Sequence, residues 1–354
     1  MYRIQYLILL LLVSNCGDSN NPTPTPPDSL IIKACDLSSL PEIESKNITF
    51  YNASHQVDNM LNILKSNGMN TVRIRLWHTP VNAHSGFEEV KQLVQRVHQN
   101  GLKVWLTVHY SDTWADPGHQ STPTAWQALS FPILKDSVFQ YTKKIALQMQ
   151  PDYIQIGNEI NPGMLFPNGN LNTNETQFKE LLASGISAVR TYAPQAKIML
   201  HYAGHSDAYS FFNKMSSLDY DIIGLSYYPI WHGKDLTLLQ NNINSLISTY
   251  NKDLVIAETA YPFSLDWNDW TNNIVGLESQ LISSFPATPQ GQKDYLLQLN
   301  DLLLSNDRCL GYAYWGAELV AYNGSTATDG SPWENQALFD FNNQVVIAAT
   351  VLSD

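Results

Sequence analysis

The chain has 354 residues, of which 44% are hydrophobic and 15% charged, so it is long and apolar enough to build one large domain with a substantial core. Its formal net charge of −12 argues against nucleic acid as a partner, because phosphate contacts require clustered Lys and Arg side chains. Nine Trp and 18 Tyr residues, many of them in polar segments beside Asp, Asn and Gly, favour a ligand with flat apolar faces.

The first residues are typical of a secretory signal. Arg3 precedes the apolar run LILLLLV, which is too short to span a bilayer as a mature helix. Cys16 follows in a setting that resembles the lipobox of a bacterial lipoprotein, where cleavage leaves the cysteine as a lipidated N-terminus. We expect residues 1–16 to be a lipoprotein signal peptide and residues 17–29 to be an extended tether rich in Asn, Pro, Thr and Ser.

These segments predict an exported bacterial lipoprotein that a lipid anchor holds at the outer membrane or cell surface. An ordinary signal peptide with an incidental cysteine is the alternative. We expect the mature protein to be a monomer.

Residues 30–354 alternate short apolar runs with amphipathic helical patterns. The apolar runs predict eight strands, at residues 30–37, 71–78, 103–110, 153–159, 197–203, 221–228, 254–261 and 309–315. Between them lie helical patterns such as FEEVKQLVQRVHQNG, which ends in a glycine. Eight strands that alternate with helices predict a single α/β domain folded as a (β/α)8 TIM barrel.

Polar or aromatic side chains end every predicted strand, whereas the opposite ends carry no comparable set. These side chains are Asp36, Arg75, Trp77, His78, His109, Asn158, Glu159, His201, Tyr228, Glu258 and Trp315. Because the C-terminal strand ends build the active site in this fold, we expect these side chains to converge at one mouth of the barrel.

Strand alternation predicts which side chains face the barrel interior. In YIQIGNE, Gln155, Gly157 and Glu159 share the inner face if the strand continues to its last residue. In TVRIRLWH, the same alternation directs Arg73 and Arg75 inward.

Glu159 and Glu258 end two different predicted strands. Two carboxyl groups that converge over one barrel mouth are the minimum equipment for hydrolysis of a glycosidic bond. One of them must stay protonated as an acid while the other stays ionised as a nucleophile. Arg75 near Glu258 would hold that carboxylate ionised. Two separate structural ion pairs are the alternative.

Several stretches resemble the endo-β-1,4-galactanases of glycoside hydrolase family 53, which belongs to a superfamily of retaining glycosidases. The matching stretches include CDLSSLPEIE, TVRIRLW, HYSDTWADPG, QIGNEINPGM, LSYYPIWHG, ETAYPF and SPWENQALFDF. They follow one another in order over almost all of residues 31–348. HYSDTWADPG and LSYYPIWHG are specific to the family, whereas the dipeptide NE alone is not.

The resemblance implies a role for each matching residue. Glu159 would be the general acid/base and Glu258 the nucleophile, with their carboxyl groups about 5 to 5.5 Å apart. Asn158 would bind the 2-hydroxyl group of the reacting sugar. The remaining implied sugar-binding or positioning residues are Asp36, Arg75, His109, Asp112, Trp114, Tyr228, Trp231, Trp315 and Trp333.

The implied substrate is β-1,4-galactan in pectic galactan or type I arabinogalactan, together with its galactooligosaccharides, and the chemistry would require no cofactor. Two alternatives stay open. The same scaffold supports retaining hydrolysis of mannan, xylan or glucan, because fold alone does not choose the sugar. A surface glycan-binding lipoprotein without catalysis is an alternative of another class.

The segment DWNDWTN resembles the calcium loop of some bacterial family members. Asp266, Asn268 and Asn272 offer oxygen ligands of the kind that calcium prefers. An Asn-rich turn without metal is the alternative. No pair of histidines at zinc spacing accompanies His109 or His201.

One departure from the family pattern follows the last predicted strand. Familiar members often read YWEP, but this chain reads YWGAELV, with Gly316 in place of the acid. Because the loop shapes the outer sugar-binding positions, the length of bound oligosaccharide depends on it.

Overall fold

The structure, a computed structural model, describes residues 29–354. The predicted signal peptide with Cys16, and all of the predicted tether except Ser29, lie outside the described residues. No helix within residues 29–354 combines the length and hydropathy needed to cross a membrane.

Eight parallel strands close into a barrel, which confirms the predicted (β/α)8 fold. The strands are β1 Ile32–Asp36, β4 Thr71–Leu76, β5 Lys103–Val108, β6 Tyr153–Ile156, β7 Lys197–Ala203, β8 Ile222–Ser226, β9 Asp253–Thr259 and β10 Cys309–Tyr314. β1 pairs with both β4 and β10, which closes the ring. A two-stranded ribbon of β2 Phe50–Tyr51 and β3 Val57–Asp58 lies outside the barrel.

Helices connect the strands, and the longer ones cover the outside of the barrel. They are α1 Leu40–Ser45, α2 Met60–Ser66, α3 Phe87–Gln99, α4 Phe131–Met149, α5 Glu175–Tyr192, α6 Ala208–Met215, α7 Pro229–His232, α8 Leu236–Tyr250 and α9 Pro289–Leu304. Side chains cap several of their N-termini, since Asn59, Asp235 and Thr288 each accept a hydrogen bond from a first-turn backbone N–H group.

Two cores follow from the strand alternation. The larger one lies between the strands and the helices and includes Val72, Ile74 and Leu76 of β4. The smaller one fills the barrel interior with side chains such as Ile32 and Trp105. The barrel is therefore a packed support whose open end carries the polar strand termini.

The predicted strand 153–159 is longer than the observed strand, since β6 ends at Ile156. Gly157 and Glu159 have positive φ angles of 82° and 44°, so the chain turns here and cannot continue in extended form. Strand alternation therefore does not set the direction of the Glu159 side chain. The turn brings that side chain to the mouth.

Candidate active site

A cleft of about 360 Å³ opens at the C-terminal ends of the barrel strands. Its walls contain every residue that the family resemblance assigns to catalysis or sugar binding except Asp112: Asp36, Arg75, His109, Trp114, Asn158, Glu159, Tyr228, Trp231, Glu258, Trp315 and Trp333. Three other side chains that were expected at the mouth do not line the cleft: Trp77, His78 and His201. Arg73, Asp116 and His232 also contribute to the walls. The strand ends therefore converge, as the barrel predicts.

The two candidate catalytic carboxyl groups face each other in this cleft. One oxygen of Glu159 and one oxygen of Glu258 lie within 4.8 Å of each other. Inverting glycosidases separate their carboxyl groups by about 6.5 to 9.5 Å to admit a water molecule, whereas retaining enzymes hold them about 5 to 5.5 Å apart. The spacing therefore suits direct attack by one carboxylate on a sugar carbon.

Glu258 lies in β9 and receives hydrogen bonds on both carboxylate oxygens. Nη2 of Arg73 donates to Oε1 at 2.7 Å, and the Tyr228 hydroxyl donates to Oε2 at 3.0 Å. Both donors stabilise the ionised form of the carboxylate. Glu258 is therefore the group in the pair that is equipped to stay charged.

Glu159 has a different environment. The Ser226 hydroxyl donates to Oε1 at 2.5 Å, and the Ser226 oxygen lies 2.9 Å from Nε2 of His201. Since the Ser226 hydrogen is directed to Glu159, His201 supplies the hydrogen in the second contact and carries its proton on Nε2. This arrangement leaves Oε2 of Glu159 to carry a transferable proton.

The pKa values of the two glutamates follow from these contacts. Burial, followed by repulsion from Glu258, raises the pKa of Glu159 to about 8, and only the Ser226 hydrogen bond and the more distant Arg73 oppose this rise. Burial also raises the pKa of Glu258, but Arg73 and the Tyr228 hydroxyl counteract it directly. When the pair holds one proton, that proton therefore belongs on Glu159.

Arg73, rather than Arg75, is the cation that holds the nucleophile candidate. Its Nη1 donates to Oδ2 of Asp36 at 2.6 Å, and its Nη2 donates to Glu258 and, at 3.0 Å, to Oδ1 of Asn158. Asp36 and Arg73 are direct register partners in β1 and β4, so they lie at the same level of the barrel. The prediction that Arg75 contacts Glu258 is wrong.

Arg75 lies one pleat nearer to the barrel mouth and contacts aromatic rings. Its guanidinium lies 4.5 Å from the ring centroid of Trp77 and 4.0 Å from that of Trp114, and Nε donates to the Ser85 hydroxyl. Cation–π contacts of this kind hold the rings in place at the cleft wall. Arg75 therefore shapes the surface that meets a ligand.

Asn158 is oriented by three groups. Its Oδ1 accepts hydrogen bonds from Arg73 and from Nε2 of Gln155, and its Nδ2 donates to the Ala115 carbonyl at 2.8 Å. One hydrogen of Nδ2 remains for a ligand. Gln120 fixes the adjoining backbone, because its side-chain amide donates to the carbonyl oxygens of Asn158 and Glu159.

His109 is a neutral hydrogen-bond donor in the cleft wall. Burial, with Arg75 and Arg73 nearby, lowers its pKa well below the usual value. The Ala115 backbone N–H group donates to Nδ1 at 3.1 Å, which leaves the ring proton on Nε2. That N–H group is suited to bind a hydroxyl oxygen.

Aromatic rings line the cleft from one side to the other. The centroids of Trp315 and Trp333 are 4.4 Å apart, Tyr228 lies 5.2 Å from Trp231, and Trp114 lies 6.2 Å from Trp315. A second cavity of about 470 Å³ adjoins the cleft and shares Arg75, Trp114, Trp315 and Trp333 with it. The two cavities together form an elongated binding surface.

The structure does not bring Asp112 to the cleft. Its two carboxylate oxygens accept hydrogen bonds from the backbone N–H groups of Thr79 and Thr124, at 3.0 and 2.8 Å. Asp112 therefore joins two loops, and the prediction that it binds sugar hydroxyls does not agree with its position.

Glu159, His201 and Glu258 are near enough to one another to surround a metal ion. Both nitrogens of His201 already have protein partners, since Nε2 donates to Ser226 and Nδ1 lies 2.9 Å from Nε2 of Gln155. The three residues therefore fit a proton-transfer site better than a metal site.

Two of the three residues predicted to bind calcium lie at the surface. Asp266 and Asn272 are exposed, and Asp266 accepts a local hydrogen bond from the Ser264 hydroxyl. In the same region, buried side-chain oxygens without a hydrogen-bond partner among the described residues belong to Asp269, Asn273, Glu334 and Asn335.

A buried glutamate lies two residues beyond the departure from the family pattern. Gly316 adopts a φ of 74°, and Glu318 is only 1% exposed. Oε1 of Glu318 accepts a hydrogen bond from the Ser39 backbone N–H group at 3.0 Å. Glu318 thus connects the loop after β10 to the loop after β1.

Sequence reasoning missed Arg73, Gln155 and Ser226 as site residues. Strand alternation had already directed Arg73 and Gln155 into the barrel, so a rule that every charged or amide side chain inside a barrel belongs to the site would have found them. Ser226 is the last residue of β8, but it lies inside the predicted strand 221–228 and carries no sequence signal of its own.

Known proteins resemble this chain over most of its length. The family model described as glycosyl hydrolase family 53 matches residues 32–352. The arabinogalactan endo-beta-1,4-galactanase of Cellvibrio japonicus is 34% identical over 94% of this chain and 91% of that protein. The endo-beta-1,4-galactanase of Bacillus subtilis is 30% identical over 88% of this chain and 82% of that protein.

Solved structures with this fold include members of the same family. The family 53 catalytic domain of Ignisphaera aggregans superposes with a TM-score of 0.87 at 34% identity, covering 93% of this chain and 98% of that one. A fungal beta-1,4-galactanase superposes with a TM-score of 0.80 at 26% identity, covering 92% and 99% of the two chains. The matching residues span the barrel from its first strand to its last, and the protein therefore belongs to glycosyl hydrolase family 53.

Proposed function

We propose that the protein is an endo-β-1,4-galactanase that hydrolyses internal bonds of galactan and type I arabinogalactan with retention of configuration. The observation that carries the chemistry is the close approach of the Glu159 and Glu258 carboxyl groups. The contacts of Glu159 favour its protonated form, whereas Arg73 favours the ionised form of Glu258. The choice of galactan rests on the relatives, two of which are named as galactanases. The elongated surface of two adjoining cavities suits an internal segment of a polysaccharide.

The reaction proceeds in two displacements. A carboxylate oxygen of Glu258 forms a bond to the anomeric carbon as the bond to the leaving oxygen breaks, and Glu159 transfers its proton to that oxygen. Ionised Glu159 then takes a proton from water as the water oxygen attacks the same carbon and releases Glu258. Each step inverts the carbon, so the product retains the original configuration.

Protein groups assist both steps. Arg73 and Tyr228 keep Glu258 ionised and oriented before it attacks. The remaining N–H of Asn158 and the Nε2–H group of His109 are donors for sugar hydroxyls, and Trp315 offers a flat surface to the sugar ring. No cofactor takes part in this sequence of steps.

A comparison of polysaccharides tests the proposed substrate. Pectic galactan should release reducing ends, and viscosity should fall early in the reaction because internal bonds break. Mannan, xylan and cellulose serve as comparison substrates. Hydrolysis of one of these in preference to galactan would assign the enzyme to another sugar, and hydrolysis of none would favour a glycan-binding protein.

The alkaline limb of the pH–rate profile should report Glu159. Because Glu159 must be protonated to donate, kcat/KM is expected to fall as pH rises through an apparent pKa near 8. In Ser226→Ala, the hydrogen bond that lowers this pKa is removed, so the limb should move to higher pH. Profiles on a galactooligosaccharide measure the shift, and an unchanged or lower limb in the variant would contradict the assignment.

For the segment after β9, we propose a calcium site with a ligand set different from Asp266, Asn268 and Asn272. Asp269, Asn273 and Glu334 offer buried oxygens without partners, and burial together with nearby Asp269 raises the pKa of Glu334, although two backbone N–H groups oppose this rise. A cation would relieve the repulsion between the two acids.

Chelation tests this site. EDTA is expected to lower the thermal unfolding temperature of the wild-type protein by several degrees. Asp269→Asn should abolish the EDTA effect, whereas Asp266→Asn, the matched control, should retain it. An unfolding temperature that EDTA leaves unchanged in protein purified without chelator would remove the proposal.

We also propose that the chain is a bacterial lipoprotein anchored through Cys16, on the strength of its first 29 residues. The anchor would place a monomeric enzyme at the outer membrane or cell surface. In bacterial cells, Cys16→Ser should move the activity from the membrane fraction to the soluble fraction. Unaltered membrane association of the variant would indicate another means of attachment.

A further inference from the structure

Four of the nine tryptophans in the chain are more than two-fifths exposed: Trp114, Trp231, Trp267 and Trp270. The first two line the cleft. Trp267 and Trp270, at 51% and 63% exposure, line neither the cleft nor the adjoining cavity. Tryptophan gains more than most side chains from burial, so two exposed rings three residues apart indicate a surface that meets a ligand.

The backbone that carries these two rings is held firmly. The N–H groups of Asn268 and Asp269 both donate to Oε1 of Glu334, at 2.6 and 3.2 Å, and Glu334 is 1% exposed. The Trp270 N–H group donates to the Ala327 carbonyl at 2.9 Å. Rings on a fixed backbone lose little conformational entropy when a ligand binds, which favours affinity.

The same segment is continuous with the wall of the cleft. Trp333, which directly precedes Glu334, lines both the cleft and the adjoining cavity. The Ile274 N–H group donates to the Pro332 carbonyl at 2.9 Å, so the two loops form one structural unit. A polymer that leaves the cleft along Trp333 therefore has Trp267 and Trp270 on a neighbouring part of the same unit.

The chemistry around the two rings suits a neutral sugar polymer. Close to the two rings in sequence, exposed Asp266 and Asn272 and half-buried Asn268 offer carboxylate and amide groups for sugar hydroxyls. The net charge of −12 disfavours an anionic polymer. We propose that Trp267 and Trp270 form a glycan-binding platform outside the cleft, which holds another part of the galactan chain that is being cleaved. This inference rests on the proposed galactanase function.

Binding of soluble pectic galactan to the full-length protein tests the platform. In the double variant Trp267→Ala/Trp270→Ala, affinity for the polymer in galactan-containing gels is expected to fall about tenfold. The value of kcat/KM on the polymer should fall with it, whereas kcat/KM on the shortest galactooligosaccharide that the wild-type protein hydrolyses should keep the wild-type value. Tyr209→Ala, which removes another half-exposed ring from α6, is the matched control and should behave as wild type.

The outcomes separate the platform from the proposed function. If the wild-type protein does not hydrolyse polymeric galactan, the galactanase function fails and the platform loses its assigned ligand. If it does, and the double variant binds polymeric galactan as tightly as wild type, only the platform inference is overturned. Binding to phosphatidylcholine vesicles that depends on the two tryptophans, without a change in galactan affinity, would assign them to a lipid surface instead and would also overturn it.

Discussion

Glu258→Gln is expected to lower kcat on β-1,4-galactan by at least about 10⁴-fold, because the amide keeps the shape of the side chain but is unable to attack the anomeric carbon. Arg73 can still donate to the amide oxygen, and the Tyr228 hydroxyl oxygen can accept a hydrogen bond from the amide NH2 group, so the barrel should remain folded. Initial rates of reducing-end release measure the loss, and thermal unfolding verifies the fold. Glu278→Gln is the matched control, because Glu278 is exposed and lines neither the cleft nor the adjoining cavity.

The stereochemistry of rescue by azide separates the roles of the two glutamates. In Glu258→Ala, azide would occupy the vacated face and give a galactosyl azide of inverted configuration. In Glu159→Ala, azide would replace water in the second displacement and give a product of retained configuration. Full turnover of galactan by either variant, or the same azide anomer from both, would show that the assigned roles are wrong.

Arg73→Lys should lower kcat by roughly 10²-fold or more, because one ammonium is unable to reproduce the guanidinium contacts with Asp36, Asn158 and Glu258. Arg73 lowers the pKa of Glu258, so weakening their contact should also move the acidic limb of the pH–rate profile to higher pH. Rate profiles from acidic to neutral pH measure both effects.

Arg75→Lys is the control for this prediction. This variant also replaces a guanidinium with an ammonium, but at a position two residues farther along β4, where the guanidinium contacts Trp77 and Trp114. The variant should raise KM through the loosened rings and leave the acidic limb in place. A shifted limb in Arg75→Lys, with a wild-type limb in Arg73→Lys, would restore the original assignment of Arg75.

The barrel was predictable because its signal is local. Each apolar run and each amphipathic helix is recognisable from a short stretch of sequence. Eight successive strand–helix units then indicate the closed sheet that the structure shows. The convergence of Glu159 and Glu258 followed from the same rule, since the C-terminal ends of parallel strands share one face. The rule places both residues at the mouth, but the direction of the Glu159 side chain depends on the turn after β6.

The choice between Arg73 and Arg75 was not predictable in this way. Alternation directs both side chains inward, but the level of each depends on the register between strands. β8 and β9 shift their register where Ser226 pairs with Glu258, and β4 pairs Arg73 with Asp36 of β1. Register is a long-range property that a short window of sequence does not contain.

Loop residues were the least predictable part of the site. Asp112 lies in a motif that resembles a sugar-binding segment, but its carboxylate accepts hydrogen bonds from the Thr79 backbone N–H group in the loop after β4 and from the Thr124 backbone N–H group farther along its own loop. In the loop after β9, the exposed residues matched a calcium pattern, whereas buried unpartnered oxygens belong to Asp269 and Asn273 of this loop and to Glu334 of the loop after β10. Burial in a loop depends on what packs over it, and local sequence does not show this.

The left-handed backbone at Glu159 restricts which residues are tolerated at this position once hydrolysis is no longer selected. A φ of 44° is strained for most side chains, whereas glycine and asparagine adopt it readily. Mutational drift after loss of hydrolysis should therefore favour Gly or Asn at this position and avoid Val or Ile. Descendants that keep the barrel only to hold glycans would then be recognisable from a single column of aligned sequences.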